Sequence, residues 1–440
     1  MNNKKWMAIL LGGIMAASLA APCSVSAAEK TTLTFWHAMG GTNGEVLQQI
    51  VDDFNASQDE IEIKAEYQGT YDDTITKLKA AMQSDSGLPD VCQMYDVGTK
   101  FMYDSGAVIP VEDKFESTGY DKSSVMDVIS SYYTVEGKQY AMPFNVSTPM
   151  LYYNKDVFEA AGLDPETPPT TYDEVLEDAK KIVESGAAPV GYSQAIYGWF
   201  FEQQLAGLGV TYGNNDNGRK EAVTAVDFDS NGGGLKVFDT WKKLYDSGCF
   251  EDYGTTTADT QTAFFSGQVG MIIESTAILK NAVDSSPFEV GTGYLPRIEQ
   301  NDEGGVIIGG GSLWLTDTGN EANEDAAWKF IEYITTPDVQ AKWSMGTGYF
   351  AINEKAYETD DMKAYLKENP NFETAINQLK DSPVNCNTAG VLSGVQTEAR
   401  LTFNEIMPQV YDGKLTTQDA VDQLAASVNK AIENYNESIK

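Results

Sequence analysis

Histidine is almost missing from this chain: His37 is the single one in 440 residues. Zinc centres and acid–base relays draw on several such side chains, so the usual zinc site is excluded and neither a metal nor a cofactor is expected. Cysteine is scarce too, with four in all. Cys23, Cys92, Cys249 and Cys386 are far apart and form no CxxC pair, so they make no disulfide framework. Buried thiols are the expected state of the last three, although an oxidising compartment leaves room for one disulfide. Cations are few, 30 Lys and Arg against 65 Asp and Glu, for a formal charge of −35. Such a chain is repelled by nucleic acid and by anionic lipid, and neither is expected as a partner. The charge keeps a secreted protein in solution, and an anionic ligand stays compatible with it, because surface charge is screened beyond about 8 Å. Finally, no apolar run after the first 27 residues is long enough to cross a bilayer.

Those first residues read as a removable leader. Lys4 and Lys5 precede an apolar stretch from Met7 to Ala21, and "VSA" puts small side chains before a cut near Ala28, so 1–27 is predicted to be a signal peptide. Pro22 makes a poor lipobox for Cys23, which favours a freely soluble exported protein, in the periplasm or at the extracytoplasmic face of the membrane, over a lipoprotein. What remains is long enough for two domains.

Short β-like patterns alternate with helical ones, which argues an α/β architecture. "TTLTFW" (31–36), "IEIKAEY" (61–67) and "DVCQMYDV" (90–97) read as strands. Between them, Val46, Leu47, Ile50, Val51 and Phe54 and then Ile75, Leu78 and Met82 repeat at helical spacing, with Asn43 a candidate cap. Thr171 and Glu174 form a capping box for a helix that Gly186 ends. Further helices are predicted near 233–246, 259–266, 276–284, 321–335, 337–346 and 416–434, and a surface loop at 213–218.

Several short motifs line up in order over this pattern: "FWHAM", "YQGTYDDT", "QMYDVGT", "PFNVSTPMLYYNKDVF", "AGLDPETPPTTYDE", "IIGGGSLWL", "TGYF" and "GVLSGVQTEAR". The chain resembles the extracellular solute-binding proteins of ATP-binding-cassette (ABC) sugar importers, and within them the binders of sn-glycerol 3-phosphate. The resemblance runs from about residue 31 to the end. It implies a two-lobed periplasmic-binding-protein fold of type II with ligand in the interlobe cleft, and a monomer that hands its solute to membrane permease subunits. On that plan lobe one takes 29–142 and 291–335, lobe two takes 143–290 and 336–440, and the chain crosses at "AMPFN" and "EVGTGYLP". Closure about the crossings is the implied motion.

The resemblance also implies a ligand set: Tyr71, Asp96, Ser147, Ser275, Gly310, Tyr349 and Arg400. Arg400 is the implied phosphate ligand, as a forked cation suits that group; on its own a lone arginine reads as a surface salt bridge. Ser147 could equally cap a turn, and Ser275 a helix start. The run Gly309–Gly311 admits a ligand close to the main chain; it is no phosphate-binding P-loop. Either tyrosine could be core or rim. Asp96 stands where the glycerol 3-phosphate binders carry a glutamate, and Tyr172 where they carry a tryptophan near the cleft. Trp36, His37 and Tyr172 are candidate cleft walls, with His37 foremost a structural side chain. "IYGWFF" (196–201) could add a stacking wall or simply fill the core.

Three functions follow for test: capture of sn-glycerol 3-phosphate, with glycerophosphodiesters as further ligands; capture of a neutral sugar or oligosaccharide on the same fold; and, from another class, a secreted hydrolase. The last would need a metal, a nucleophile–base pair or more histidines, none of which the sequence displays, so no catalytic residue and no enzyme activity is expected.

Overall fold

The computed structural model describes residues 30–84, 87–300 and 302–439. The predicted signal peptide, with Cys23, lies outside them. The expected strand–helix opening is present. Strand β1 (Thr31–His37) buries Leu33, Phe35 and His37 on one face, and β2 (Ile61–Tyr67) buries Ile61 and Ile63. The helix between them, Gly41–Ser57, turns Leu47, Ile50, Val51 and Phe54 inward. It starts from Gly40 rather than from Asn43, without a side-chain cap. The helix Tyr71–Met82 opens on a Thr70–Asp73 capping box and leads to β3 (Val91–Tyr95).

In the first sheet the order is β2-β1-β3-β12-β4, with β4 Val108–Ile109 and β12 Gly309–Thr316. A sixth strand, β7 (Met142–Ser147), also pairs with β12. β1 runs parallel to β2 and β3, whereas β12 is antiparallel to β3, β4 and β7. The two-residue strands β5 (Thr134–Val135) and β6 (Lys138–Gln139) form a separate hairpin. The second sheet has the order β11-β8-β10-β9, from β8 Pro149–Asn154, β9 Val190–Ser193, β10 Val269–Ser275 and β11 Val290–Gly293. One large core surrounds the first sheet. A second fills the space between the other sheet and the helices Tyr172–Ser185, Gly198–Gly207, Gly233–Tyr245, Gln396–Tyr411 and Thr417–Ser438.

The ladders assign residues to sheets differently from the expected boundaries at three points. Residues 143–147 are bonded into the first sheet and 291–293 into the second. The helix Pro337–Thr347 lies against the first-lobe helix Gly41–Ser57, and its Trp343 stacks on Phe144 of β7 at 4.6 Å between ring centroids. An apolar extended run looks alike whichever sheet it joins, so the partner strand is not written in it. Between β7 and β8 only Thr148 intervenes. Its N–H donates to Thr276 Oγ1 (3.2 Å) and its carbonyl accepts the Thr276 N–H (2.8 Å).

The predicted loop at 213–218 is a left-handed turn, with φ of 56°, 55° and 59° at Asn215, Asp216 and Asn217. Asn and Asp tolerate that region better than other L-residues. Cys92, Cys249 and Cys386 are all free thiols, the first two buried.

Candidate functional site

Asp96 follows the carboxyl end of β3, in the middle of the first sheet, and is only 4% exposed. Across from it Arg400 projects from the helix Gln396–Tyr411 of the second core, at 7% exposure. Arg400 Nη2 donates to Asp96 Oδ2 at 3.1 Å. The same guanidinium is forked on Glu202, with Nε to Oε1 and Nη2 to Oε2 both 2.7 Å. Glu202 Oε1 accepts a further bond from Gln396 Nε2 at 2.6 Å. Burial opposes the charge of Arg400, but Asp96 and Glu202 outweigh it and hold the guanidinium firmly protonated. Burial pushes the Glu202 carboxyl above its usual range against the pull of Arg400. The Arg400 guanidinium also lies 6.0 Å from the centroid of Tyr197.

Glu202 rides on the helix Gly198–Gly207, whose first residue is a glycine for a steric reason. A Cβ on Gly198 would stand 2.6 Å from Arg400 Cα, so any side chain there would push the two helices, and the ion pair, apart. Gly198 N–H donates to Asn404 Oδ1 (3.0 Å), tying the helices together.

Next to Asp96, Tyr95 and Tyr71 stack at 5.1 Å with planes 9° apart. Tyr71 Oη accepts from Asn145 Nδ2 (2.7 Å), Asn145 Oδ1 accepts from Gln93 Nε2 (2.7 Å), and Gln93 Oε1 accepts the Ala38 N–H (2.8 Å). This buried relay fixes Tyr71 from the backbone of the β1 terminus. Gly310 has φ of +89°, and a Cβ there would fall 1.8 Å from Asn145 O, so the strand can pass Asn145 only with glycine. The Cβ of a residue at 309 would sit 2.6 Å from Trp199 Cζ2. Trp199 Nε1, buried at this contact, has no hydrogen-bond partner.

Ser147 faces Gly309 in the β7–β12 ladder, and Gly310 faces Val146. Phe350 N–H donates to Val146 O (2.9 Å), so Tyr349 comes alongside Ser147. Burial keeps the phenols of Tyr71 and Tyr349, which neighbour each other, above their ordinary range and protonated. Ser275 ends β10 beside the Thr148 crossing, and its hydroxyl accepts the Ala277 N–H (3.1 Å), as a cap does. Tyr71, Asp96, Gly310 and Arg400 thus share one neighbourhood, with Ser147, Tyr349 and Ser275 along the crossing strands.

The three candidate wall residues are placed elsewhere. Trp36 Nε1 donates to Glu66 Oε2 (3.0 Å) across the β1–β2 ladder. His37 sits between Phe35 and Tyr67, at 5.5 and 5.9 Å between centroids, and Nδ1 accepts the Met39 N–H. Burial lowers its pKa to about 4, so it is a neutral structural group. Tyr172 is 2% exposed in the second core, its hydroxyl accepting from Gln204 Nε2 (2.5 Å). It is the first residue after a capping-box threonine and is buried with the helix's packed face.

Sequence reasoning missed Glu202, Tyr197 and Asn145 as individual site residues. Of the stretch "IYGWFF", Tyr197 lies against the Arg400 guanidinium and Trp199 against Gly309. Among the described residues no group of three or more His, Cys, Asp or Glu converges to hold a metal.

The model of the bacterial extracellular solute-binding proteins matches residues 49–374. The chain belongs to that family. The sn-glycerol-3-phosphate-binding periplasmic protein UgpB of Escherichia coli (strain K12) is 30% identical over 417 residues, 93% of this chain and 94% of its own. Among solved structures, the cyclic alpha-maltosyl-1,6-maltose binding protein from Arthrobacter globiformis has a TM-score of 0.77 at 26% identity, over 92% of this chain and 100% of its own. UgpB from Mycobacterium tuberculosis, in complex with glycerophosphocholine, reaches 0.79 at 20% identity over 93% and 100%, a likeness of fold. The architecture is therefore the two-lobed type II binding-protein fold. This solute-binding protein works outside the cytoplasm as the capture component of an ABC importer. Among the described residues no helix is long and apolar enough to cross a membrane.

Proposed function

We propose that this protein captures sn-glycerol 3-phosphate, together with phosphodiesters of glycerol, in the cleft between β3 and the helix Gln396–Tyr411, and delivers it as a monomer to its permease without chemical change. One observation carries the reading: a buried arginine from one core meets a buried carboxylate from the other, Arg400 on Asp96, with Tyr71 and Gly310 beside them. The relatives named for sn-glycerol 3-phosphate support the ligand class. Arg400 Nη1, which makes no bond to the protein, and the spare Trp199 N–H are donors for a phosphate. Asp96, Tyr71 and Tyr349 suit the glycerol hydroxyls, with Ser147 and Ser275 at the flank. The lobes follow the sheets, with 30–147 and 309–347 in one and 149–293 with the C-terminal helices in the other.

A second reading, a neutral oligosaccharide, draws on the rings of Tyr71, Tyr95, Tyr197 and Trp199 and on the maltosyl-maltose binder of the same fold. Calorimetry on the protein without residues 1–27 separates the two. Heat and thermal stabilisation with sn-glycerol 3-phosphate, and none with maltose or maltotriose, is the expected result. Tight sugar binding with silence toward the phosphate would overturn it.

A further inference from the structure

The ion cluster at Arg400 contains two carboxylates of different standing. Asp96 belongs to the first sheet and reaches Arg400 from the other side of the cleft. Glu202 belongs to the same core as Arg400, and opening of the cleft leaves that pair intact. Its two bonds occupy the Nε/Nη2 edge of the guanidinium completely, and Gln396 braces it from the arginine's own helix. A ligand entering the cleft therefore meets an arginine whose charge is already countered by Glu202 and whose free donors are Nη1 and the Nη2 proton that Asp96 gives up on opening.

Other charged and titratable groups surround this cluster. From the β3 end comes Asp96; Glu274 of β10, 4% exposed and held by Gln261 Nε2 and the Ser275 N–H, both 2.7 Å, acts on Tyr197 and not on the guanidinium. Arg219 lies against Tyr132, its Nη1 donating to Tyr132 O at 2.8 Å. Tyr132, Tyr133, Tyr197 and Tyr212 complete the surroundings as protonated phenols. Arg400 is thus shared between two buried carboxylates, Asp96 and Glu202. A dianion placed there gains little from Arg400 and is repelled by its neighbours.

We propose that Glu202 is the residue that sets the charge this cleft accepts, holding Arg400 side-on and countering its charge so that a singly charged phosphate is preferred to a doubly charged one. The inference rests on the reading of the site as a glycerol-phosphate cleft. It divides the proposed ligands by charge, with glycerol phosphodiesters and the monoprotonated form of sn-glycerol 3-phosphate ahead of its dianion.

The test is calorimetry of the wild-type protein and Glu202→Gln with two probes, sn-glycerol 3-phosphate and its methyl diester, between pH 5.5 and 8. The monoester loses its second proton near pH 6, whereas the diester stays a monoanion throughout. Any titration of the protein acts on both probes and cancels in their ratio. For the wild type, affinity for the monoester relative to the diester should fall about tenfold from pH 5.5 to 8. In Glu202→Gln that fall should vanish, and the monoester should gain about tenfold on the diester at pH 8, whatever happens to absolute affinity. A wild-type ratio that is flat or rises with pH overturns the proposal, as does a variant that weakens both probes equally at every pH. If Glu202→Gln does not fold, the wild-type ratio decides alone. Silence toward both probes in the wild type instead overturns the glycerol-phosphate reading itself.

Discussion

Tyr95 Oη lies 2.5 Å from Thr397 Oγ1, joining the end of β3 to the first turn of the helix that carries Arg400. The two residues come from different cores and lie 302 positions apart in sequence. Together with the Asp96–Arg400 contact the bond holds the cleft shut in this structure. Tyr95→Phe should remove about 1 kcal/mol from the closed form. Small-angle scattering of the unliganded protein should then show a larger radius of gyration than wild type. An unchanged radius would count against the bond as a clasp.

Arg400→Ala leaves Glu202 and Asp96 buried without a cation. Loss of one partner from a buried ion cluster costs about 3–5 kcal/mol, so a markedly lower melting temperature is expected. Binding should weaken by a further 2–5 kcal/mol, the order found for truncating a buried charge pair at an interface. Arg400→Lys should recover part of the stability but little of the binding, since an ammonium cannot fork onto Glu202. Chemical denaturation and titration calorimetry measure the two effects separately.

Gly310→Ala combines a left-handed φ with a Cβ that would overlap Asn145 O. Local movement of β7 is the only relief, and a loss of at least about 2 kcal/mol is expected. Gly319→Ala also has positive φ but open space around the new methyl group, and it should cost less. A denaturation midpoint for each variant checks the order.

His37 gives the fold a defined acid dependence. Its folded pKa is about 4, below the ordinary 6.5. The unfolded chain therefore takes up a proton between pH 6.5 and 4 that the folded one refuses. This contribution is complete above pH 6.5 and lost as pH falls to about 4, an amount on the order of 2–3 kcal/mol. His37→Gln should flatten the difference in melting temperature between pH 7 and pH 4.5, relative to wild type. Equal slopes for the two proteins would sink this account.

How much of this was legible in the sequence depended on how local the signal was. Alternation in "IEIKAEY" and the T-x-x-E cap at Thr171 are short-range codes, and the structure repeats them. The ladder partners of β7 and β11 are long-range choices, which is why the expected boundaries at 142/143 and 290/291 fell within or beside strands. The helix Gly198–Gly207 is buried on nearly every face, so it has no apolar stripe to reveal it, and Glu202 within it reads as one acid among 65. Tyr71, Asp96, Gly310 and Arg400 are singled out only by motif resemblance, since spacing alone cannot show residues 304 positions apart meeting at 3.1 Å, as Asp96 and Arg400 do. Trp36 and His37 followed the correct strand end, but their side chains belong to the β2 side and the core.

The single-residue passage at Thr148 has a kinematic consequence. With one residue between strands fixed in different sheets, and that residue's N–H and carbonyl both held by Thr276, the two bodies share a point that cannot shear. A peptide unit spans only about 3.8 Å between α-carbons, too short to let one lobe slide past the other. Their relative motion is reduced to rotation about this point, and the displacement of any atom grows in proportion to its distance from Thr148.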